Sequence, residues 1–192
     1  MDALSYLLGK NSSGGGSKNA FIDGSVAYSG GGTIRALIDN VDDLTLSSST
    51  VDMSSFFDGC SNLKTVPMID TSKVKVMNFC FSSCKEITSM PLWDTHLVTN
   101  MQSMFYMCTK LADVPVLDTS VLLAAGNMFQ SCNNLTDESL NNILKMCINA
   151  TIYTGTKTLY ALGLRKTKYT QSKIEGLSNY ADFVSAGWST GY

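Results

Sequence analysis

The stretch NMQSMFYMCTKLADVPVLDTSV, Asn100–Val121, is one copy of a repeat. Two upstream stretches, VDMSSFFDGCSNLKTVPMIDTSKV from Val51 and KVMNFCFSSCKEITSMPLWDTHLV from Lys75, have the same skeleton. Two kinds of residue recur with a constant step of 24 residues, namely Cys60, Cys84, Cys108 and Cys132, and Phe57, Phe81, Phe105 and Phe129. A fixed period in the twenties is typical of a solenoid, in which each unit buries its apolar face against its neighbours.

Within one unit, the apolar residues follow a helical spacing. Four of them, at i, i+3, i+4 and i+7, fall on one face of a two-turn helix. Unit by unit they are Met53, Phe56, Phe57 and Cys60; Met77, Cys80, Phe81 and Cys84; Met101, Met104, Phe105 and Cys108; and Ala125, Met128, Phe129 and Cys132. A polar turn follows, and then a short segment such as LKTVPMID has strand character. The sequence therefore predicts an α/β repeat solenoid of 24-residue units, each with a short helix and a short strand.

The repeat divides the chain into five parts. Residues 1–10 are a candidate anchor peptide, 11–19 a Gly/Ser linker, 20–50 an N-terminal cap with a partial repeat, 51–135 the repeats, and 136–192 a helical C-terminal cap. The anchor residues are Leu4, Tyr6, Leu7 and Leu8, of which the three leucines share one helical face. A disordered terminus before a flexible linker would have the same composition, so both interpretations stay open.

Composition argues against two classes of partner. A net charge of −2 and the lack of a Lys/Arg cluster disfavour a nucleic-acid surface, which needs a basic stripe to neutralise phosphates. No run approaches the roughly 18 apolar residues of a membrane span, and the start of the chain lacks the basic n-region of a secretory signal. With 44% hydrophobic and 16% charged residues, the chain is expected to have a core and a neutral polar surface.

The reactive residues form no catalytic or metal-binding constellation. The closest cysteine pair, Cys80 and Cys84, is explained by helical periodicity, whereas zinc sites use closer spacings such as Cys-x2-Cys. Buried free thiols that pack as small hydrophobes are therefore expected. His96 is expected to lie in a turn without an acidic or cysteine partner. The recurring acids, expected to form turns or helix caps, are Asp70, Asp94 and Asp118. The sequence thus predicts no enzyme, no cofactor and no metal.

The repeat resembles the bacterial surface-antigen type of leucine-rich repeat, in the short variant of mycoplasma-type surface lipoproteins, whose units look like MxxMFxxCxxLxxLPxxDTSxVTN. The stretch VTNMQSMFYMCTKLADVPVLDTS, Val98–Ser120, is close to this pattern, and the resemblance covers about Val51–Leu135. The C-terminal stretch LSNYADFVSAGWSTGY, Leu177–Tyr192, resembles the end of repeat proteins from phage and prophage structural gene clusters. The resemblance implies a short leucine-rich-repeat solenoid. The lack of a signal peptide and a lipobox favours a virion component over an exported lipoprotein.

Candidate binding residues are those that vary between units on the expected outer faces. They are Thr65, Ser89 and Asp113; Ile69, Trp93 and Leu117; and Tyr106 and Met107 on the ridge between helix and turn. The first two rows lie opposite the face that Val66 and Met68 are expected to form. Exposed aromatics such as Trp93 and Tyr106 can anchor a protein or a carbohydrate. Trp93 can equally fill a gap in the core.

These features predict a non-enzymatic binding and display module. The expected setting is a phage or prophage virion, in the tail, the baseplate or a head fibre or decoration, where the module attaches to a host cell surface. The expected partners are other virion proteins, through residues 1–10, and a host-surface protein or glycan. No nucleic acid and no membrane span are expected, and homo-oligomerisation stays open. Two alternatives remain: a bacterial adhesin-type repeat protein, at the cell surface or secreted, and a structural virion decoration without a ligand.

Overall fold

The computed structural model describes residues 20–22, 44–46, 51–66 and 68–192, and only the backbone of the first two segments. The elements in this part of the chain are β1 (Ala20–Ile22), β2 (Leu44–Leu46), α1 (Asp137–Asn149), α2 (Gln171–Glu175) and α3 (Tyr180–Ser185). Strands β1 and β2 pair in parallel, with Ala20 opposite Leu44 and Ile22 opposite Leu46. The 24-residue step therefore also holds between two segments of the predicted N-terminal cap.

The predicted fold, a leucine-rich-repeat solenoid of helix-plus-strand units, is wrong. Within residues 51–66 and 68–135, the backbone forms turns and isolated bridges, with neither an α-helix nor a longer strand. The predicted helix is overturned by the Phe81 amide, which donates to the Met104 carbonyl at 2.9 Å instead of to a carbonyl four residues earlier. The units are coils of turns that lie side by side, and we call residues 51–135 the repeat stack.

Backbone amides in the repeat stack alternate between acceptors in their own unit and acceptors in the next. Around Phe81, the amides of Cys80, Ser82 and Cys84 donate to carbonyls three residues earlier and close three consecutive turns. The intervening amides donate to carbonyls 23 residues later, at 2.7–2.9 Å, in the pairs Met77 to Asn100, Phe79 to Gln102, Phe81 to Met104 and Ser83 to Tyr106. A helix is therefore not needed to satisfy the buried backbone of these units.

Two positions in each unit have a positive φ, which a regular α-helix does not allow. They are Ser55, Phe79, Ser103 and Asn127, and four residues later Gly59, Ser83, Met107 and Ser131, with φ between 54° and 76°. Six of these eight residues are glycine, serine or asparagine, so the sequence contains a turn signal at this spacing. The apolar residues predicted to share one face are nevertheless buried, apart from the partly buried Phe56, because consecutive turns bring the same side chains inward.

Two columns of side chains connect neighbouring units inside the repeat stack. Aromatic rings stack with successive centroids 5.2, 5.7 and 5.7 Å apart along Phe57, Phe81, Phe105 and Phe129. Thiols donate at 3.0 Å to phenylalanine carbonyls of the preceding unit, in the pairs Cys84 to Phe57, Cys108 to Phe81 and Cys132 to Phe105. The spacing of phenylalanine and cysteine therefore recurs because both residues connect one unit to the next.

The C-terminal part of the chain supplies the partners that a further unit would supply. Two amides of the last unit donate at 2.8 Å to carbonyls of this part, in the pairs Asn127 to Ala161 and Phe129 to Leu162. The buried Tyr169 hydroxyl donates to the Cys132 carbonyl and accepts from the Leu135 amide. These contacts satisfy the last backbone groups of the repeat stack, which burial would otherwise leave unpaired.

Candidate binding surface

The recurring Asp-Thr pairs form turns, as predicted. Each aspartate carboxylate accepts the amide two residues later, at 2.9–3.1 Å, in the pairs Asp70 with Ser72, Asp94 with His96 and Asp118 with Ser120. Hydrogen bonds from these partners lower the pKa of all three carboxyls. The hydroxyls of the buried threonines donate to carbonyls of the next unit, in the pairs Thr71 to Asp94 and Thr95 to Asp118. The Asp-Thr pairs therefore act on the backbone, within and between units.

His96 has an acidic partner, so the expectation that it has none is wrong. Its Nδ1 lies 2.6 Å from Oδ1 of Asp94, and the two side chains are 50% and 48% exposed. The turn folds the two residues onto each other, which an extended segment with the same spacing would not do. An exposed pair of this kind stabilises a protein by roughly 0–1 kcal/mol, so its contribution is local.

All six cysteines are buried and free. Burial raises the pKa of Cys80, Cys108 and Cys147 well above the ordinary value, and raises the pKa of Cys132 to about 12. These thiols therefore stay protonated at neutral pH, whereas nucleophilic attack and metal binding require the thiolate. Among residues 51–66 and 68–192, no three His, Cys, Asp or Glu side chains are placed to hold a metal ion.

The two predicted binding rows differ in burial. The exposed row consists of Thr65, Ser89 and Asp113. The buried row, at 8%, 2% and 0% exposure, consists of Ile69, Trp93 and Leu117. The prediction that this second row lies on an outer face is wrong. Trp93 packs in the core, where its ring centroid lies 5.3 Å from that of Phe81.

A tight turn after the recurring proline explains this error. The Trp93 amide donates to the Pro91 carbonyl at 3.0 Å, which closes a three-residue turn around Leu92. The turn breaks the period of two that a strand would keep, so Trp93 is buried and Leu92 is 61% exposed. Met68, one unit earlier and expected on the inner face, is 69% exposed. The fixed proline was the available signal, because proline interrupts a strand.

Tyr106 and Met107 are partly exposed on the turns of the third unit. Phe79, on the turns of the unit before it, is 38% exposed. These turns are adjacent, because the Ser83 amide donates to the Tyr106 carbonyl at 2.7 Å. We call Phe79, Tyr106 and Met107 the apolar ridge. Phe79 was missed by the sequence analysis, because the helical assignment gave its position no special geometry.

Two residues of the apolar ridge have an unfavourable backbone conformation. The φ of Phe79 is 57° and that of Met107 is 60°. A left-handed conformation costs roughly 1–2 kcal/mol for a residue with a side chain, and large apolar residues lack the local hydrogen bonds that let asparagine adopt it. The amides of both residues are nevertheless bonded to the next unit, to Gln102 at 2.9 Å and to Gln130 at 2.8 Å. The register of the repeat stack therefore maintains this conformation.

The chain matches a family model described as Mycoplasma protein of unknown function, DUF285, over residues 35–146, which is more than half of its length. No curated protein and no solved structure matches it. The longest of the described helices, α1, has 13 residues, and none of these helices combines the length and apolarity that crossing a bilayer requires. The predicted anchor residues Leu4, Tyr6, Leu7 and Leu8 and the linker 11–19 lie outside the described residues.

Proposed function

The chain belongs to this Mycoplasma family of unknown function, DUF285, and we propose that it is a non-enzymatic binding module displayed on a surface. The module attaches the particle or cell that displays it to a host cell surface, through a protein or a glycan. The observation that supports this proposal is the strain at the apolar ridge.

The repeat stack does not require large apolar residues at the two positions that have a positive φ. At the position of Met107 the other units have Gly59, Ser83 and Ser131, and at that of Phe79 they have Ser55, Ser103 and Asn127. These small or polar residues adopt a positive φ at lower cost. Large apolar side chains held partly exposed in a strained backbone are a feature of binding sites, where contact with a partner offsets the strain. The ridge is therefore the centre of the proposed binding surface.

We assign the remaining exposed candidate residues to the polar part of the proposed binding surface. Thr65, Ser89 and Asp113 are exposed, and Ser89 and Asp113 are paired as neighbours in a parallel bridge. Protein–protein interfaces typically have an apolar or aromatic centre surrounded by polar groups. Ile69, Trp93 and Leu117 have no part in the proposal because they are buried.

Two carriers fit this function. A phage or prophage virion is favoured by the resemblance of Leu177–Tyr192 to repeat proteins of such gene clusters. A bacterial cell surface is favoured by the family match, because the repeat units also resemble those of mycoplasma-type surface lipoproteins. Mass spectrometry of purified particles and of peptides released from intact cells by protease separates the two. Detection only in particles supports the virion, and detection only on cells supports the bacterial surface.

The ridge residues are expected to separate stability from binding. We expect the double variant Phe79→Asn, Met107→Gly, which has the residues found at these positions in other units, to change the free energy of unfolding by less than about 1 kcal/mol. Relief of strain of roughly 1–2 kcal/mol per residue offsets the lost apolar contacts. Adsorption of the labelled chain to intact cells of the host should fall by at least about tenfold, as when the central residues of an interface are removed.

Asn127 provides the matched control. It is exposed and has a φ of 57° in the last unit, so Asn127→Gly changes a residue of the same turn position without removing an apolar side chain. This variant should adsorb like the unchanged chain. Full adsorption by the Phe79→Asn, Met107→Gly variant would reject the apolar ridge as the binding surface.

A further inference from the structure

A basic patch lies on the C-terminal part of the chain. Residues 151–192 have five basic and two acidic side chains, a net charge of +3, whereas residues 51–150 have six basic and nine acidic ones, a net charge of −3. Four of the five basic residues lie between residues 157 and 168, a segment without an acid. We define the basic patch as Tyr160, Arg165, Lys166 and Lys168. Charge in this chain is therefore segregated, although the total is near zero.

Arg165 is the fixed centre of the basic patch. Its guanidinium carbon lies 4.4 Å from the centroid of the Tyr160 ring, in a cation–π contact. Its Nη2 donates to Oε1 of Gln130 at 3.2 Å. The Lys168 amide donates to the Arg165 carbonyl at 3.0 Å, so the two lysines lie on the same turn as the arginine. The ring and the amide thus fix the orientation of the guanidinium before any ligand arrives.

The cations of the basic patch have no carboxylate partner among the ion pairs of the described residues, which are His96 with Asp94, Lys110 with Glu86 and Lys173 with Asp137. Lys166 and Lys168 are exposed, and Tyr160 is 50% exposed. A guanidinium has five N–H donors in a planar fork that matches the two oxygens of a carboxylate or a sulfate. Arg165 therefore has N–H donors available for a ligand next to the Tyr160 ring.

The basic patch continues the apolar ridge along the repeat stack. Gln130, the partner of Arg165, stands 24 residues after Tyr106 and so occupies the same position in the next unit. The Gln130 carbonyl also accepts the Met107 amide at 2.8 Å. A ligand extended along the units would therefore meet the ridge and then the patch.

We propose that the basic patch binds an acidic sugar of a cell-surface polysaccharide. The guanidinium of Arg165 receives the carboxylate or sulfate in a bidentate pair, the Tyr160 side chain packs on the sugar ring, and Lys166 and Lys168 attract neighbouring acidic groups. An acidic polysaccharide of this kind is the glycan that the proposed function requires. The proposal rests on that function only where it places the basic patch and the apolar ridge on one binding surface.

The size of the basic patch favours this ligand over two other polyanions. Strong binding to duplex DNA uses many phosphate contacts, about 6–10 in a representative case, and membrane-binding segments have about 4–8 clustered basic residues. The patch has three cations around one aromatic side chain, which is enough for one or two acidic sugars.

Binding to purified polysaccharides tests the proposal. The full chain should bind hyaluronate, whose acid is a carboxylate, or dextran sulfate, whose acid is a sulfate, and should not bind uncharged dextran. Arg165→Lys keeps the charge but removes the bidentate fork, so affinity should fall by about tenfold or more. The double variant Lys166→Ser, Lys168→Ser should weaken binding and reduce its salt dependence. Lys145→Ser, at an exposed position of α1, is the matched control and should bind normally.

Three results would overturn the proposal. They are no binding to either acidic polysaccharide, unchanged affinity of Arg165→Lys, and tighter binding to single-stranded DNA or to phosphatidylserine vesicles than to both polysaccharides. A chain that fails these tests but still adsorbs to cells through Phe79 and Met107 rejects the patch alone. A chain that binds polysaccharide through Arg165 but adsorbs to cells independently of Phe79 and Met107 rejects the ridge alone.

Discussion

Replacing Phe105 with alanine is expected to lower the free energy of unfolding by about 3–5 kcal/mol, the range for buried phenylalanines. The Phe105 side chain is fully buried, and its ring stacks on those of Phe81 and Phe129 with both centroids 5.7 Å away. Removal of the ring opens a cavity at the centre of the column and takes a stacking partner from each neighbour. Denaturant titration followed by circular dichroism measures the change.

Leu92→Ala is the matched control for this substitution. Leu92 is also a large apolar residue of the repeat stack, but it is 61% exposed. Its replacement should change stability by no more than about 0.5 kcal/mol, as for most surface sites. A loss below about 1 kcal/mol for Phe105→Ala would contradict the assignment of the phenylalanine column to the core.

Gly163→Ala is expected to lower the free energy of unfolding by about 2–5 kcal/mol, from backbone strain and displacement of neighbouring atoms. Gly163 has a φ of 96°, and a Cβ placed there would lie 2.5 Å from the backbone nitrogen of Gln130. The residue before it provides the carbonyl that accepts the Phe129 amide at 2.8 Å. The substitution therefore pushes the C-terminal part away from the last unit that it covers.

Gly126→Ala provides the comparison, because a Cβ at Gly126 meets nothing within 4 Å and its φ lies outside the left-handed region. This variant should be neutral or more stable by about 0.4–1 kcal/mol, since alanine restricts the unfolded chain. Equal changes in the free energy of unfolding for the two substitutions would show that the close approach of Gly163 to Gln130 does not hold the C-terminal part against the last unit.

The 24-residue period and the buried columns could be predicted from the sequence. Residues such as Phe81 and Cys84 recur at fixed positions because each contacts its own equivalent, or the backbone beside it, in the neighbouring unit. Recurrence of this kind reports which residues meet between units. It does not report the backbone conformation that brings them together.

The turns could not be derived from apolar spacing, because an i, i+3, i+4, i+7 pattern fits both a helix and the coil of turns found here. The distinguishing signal was the recurrence of Gly59, Ser83 and Ser131 at one position, which Met107 interrupts. Hydrogen bonds between residues 23 apart, such as Phe81 to Met104, leave no pattern in the side chains. The apolar spacing within one unit therefore favoured a helix. The hydrogen bonds between units exclude that helix.

The candidate surface was predicted in part. Tyr106 and Met107 are partly exposed, but Trp93 is buried because the turn closed by its own amide and Pro91 reverses the expected orientation. The expectation that the chain lacks a Lys/Arg cluster is wrong, because Arg165, Lys166 and Lys168 lie within four residues of one another. The basic patch was missed because this run is short and because the contact of Arg165 with Tyr160, five residues earlier, leaves no pattern in the sequence. A three-residue turn and a side-chain stack both depend on local backbone geometry, which composition and spacing do not determine.

The fold depends on each unit being bonded through its backbone to the next unit, and not within itself as a helix. Scalar couplings across hydrogen bonds, measured by nuclear magnetic resonance on the isotope-labelled chain, test it directly at the Phe81 amide. We expect a coupling between the amide nitrogen of Phe81 and the carbonyl carbon of Met104, whose oxygen lies 2.9 Å from that nitrogen. A coupling to the carbonyl carbon of Met77 instead, four residues earlier, would be the mark of an α-helix and would show that the units are not bonded to one another in this way.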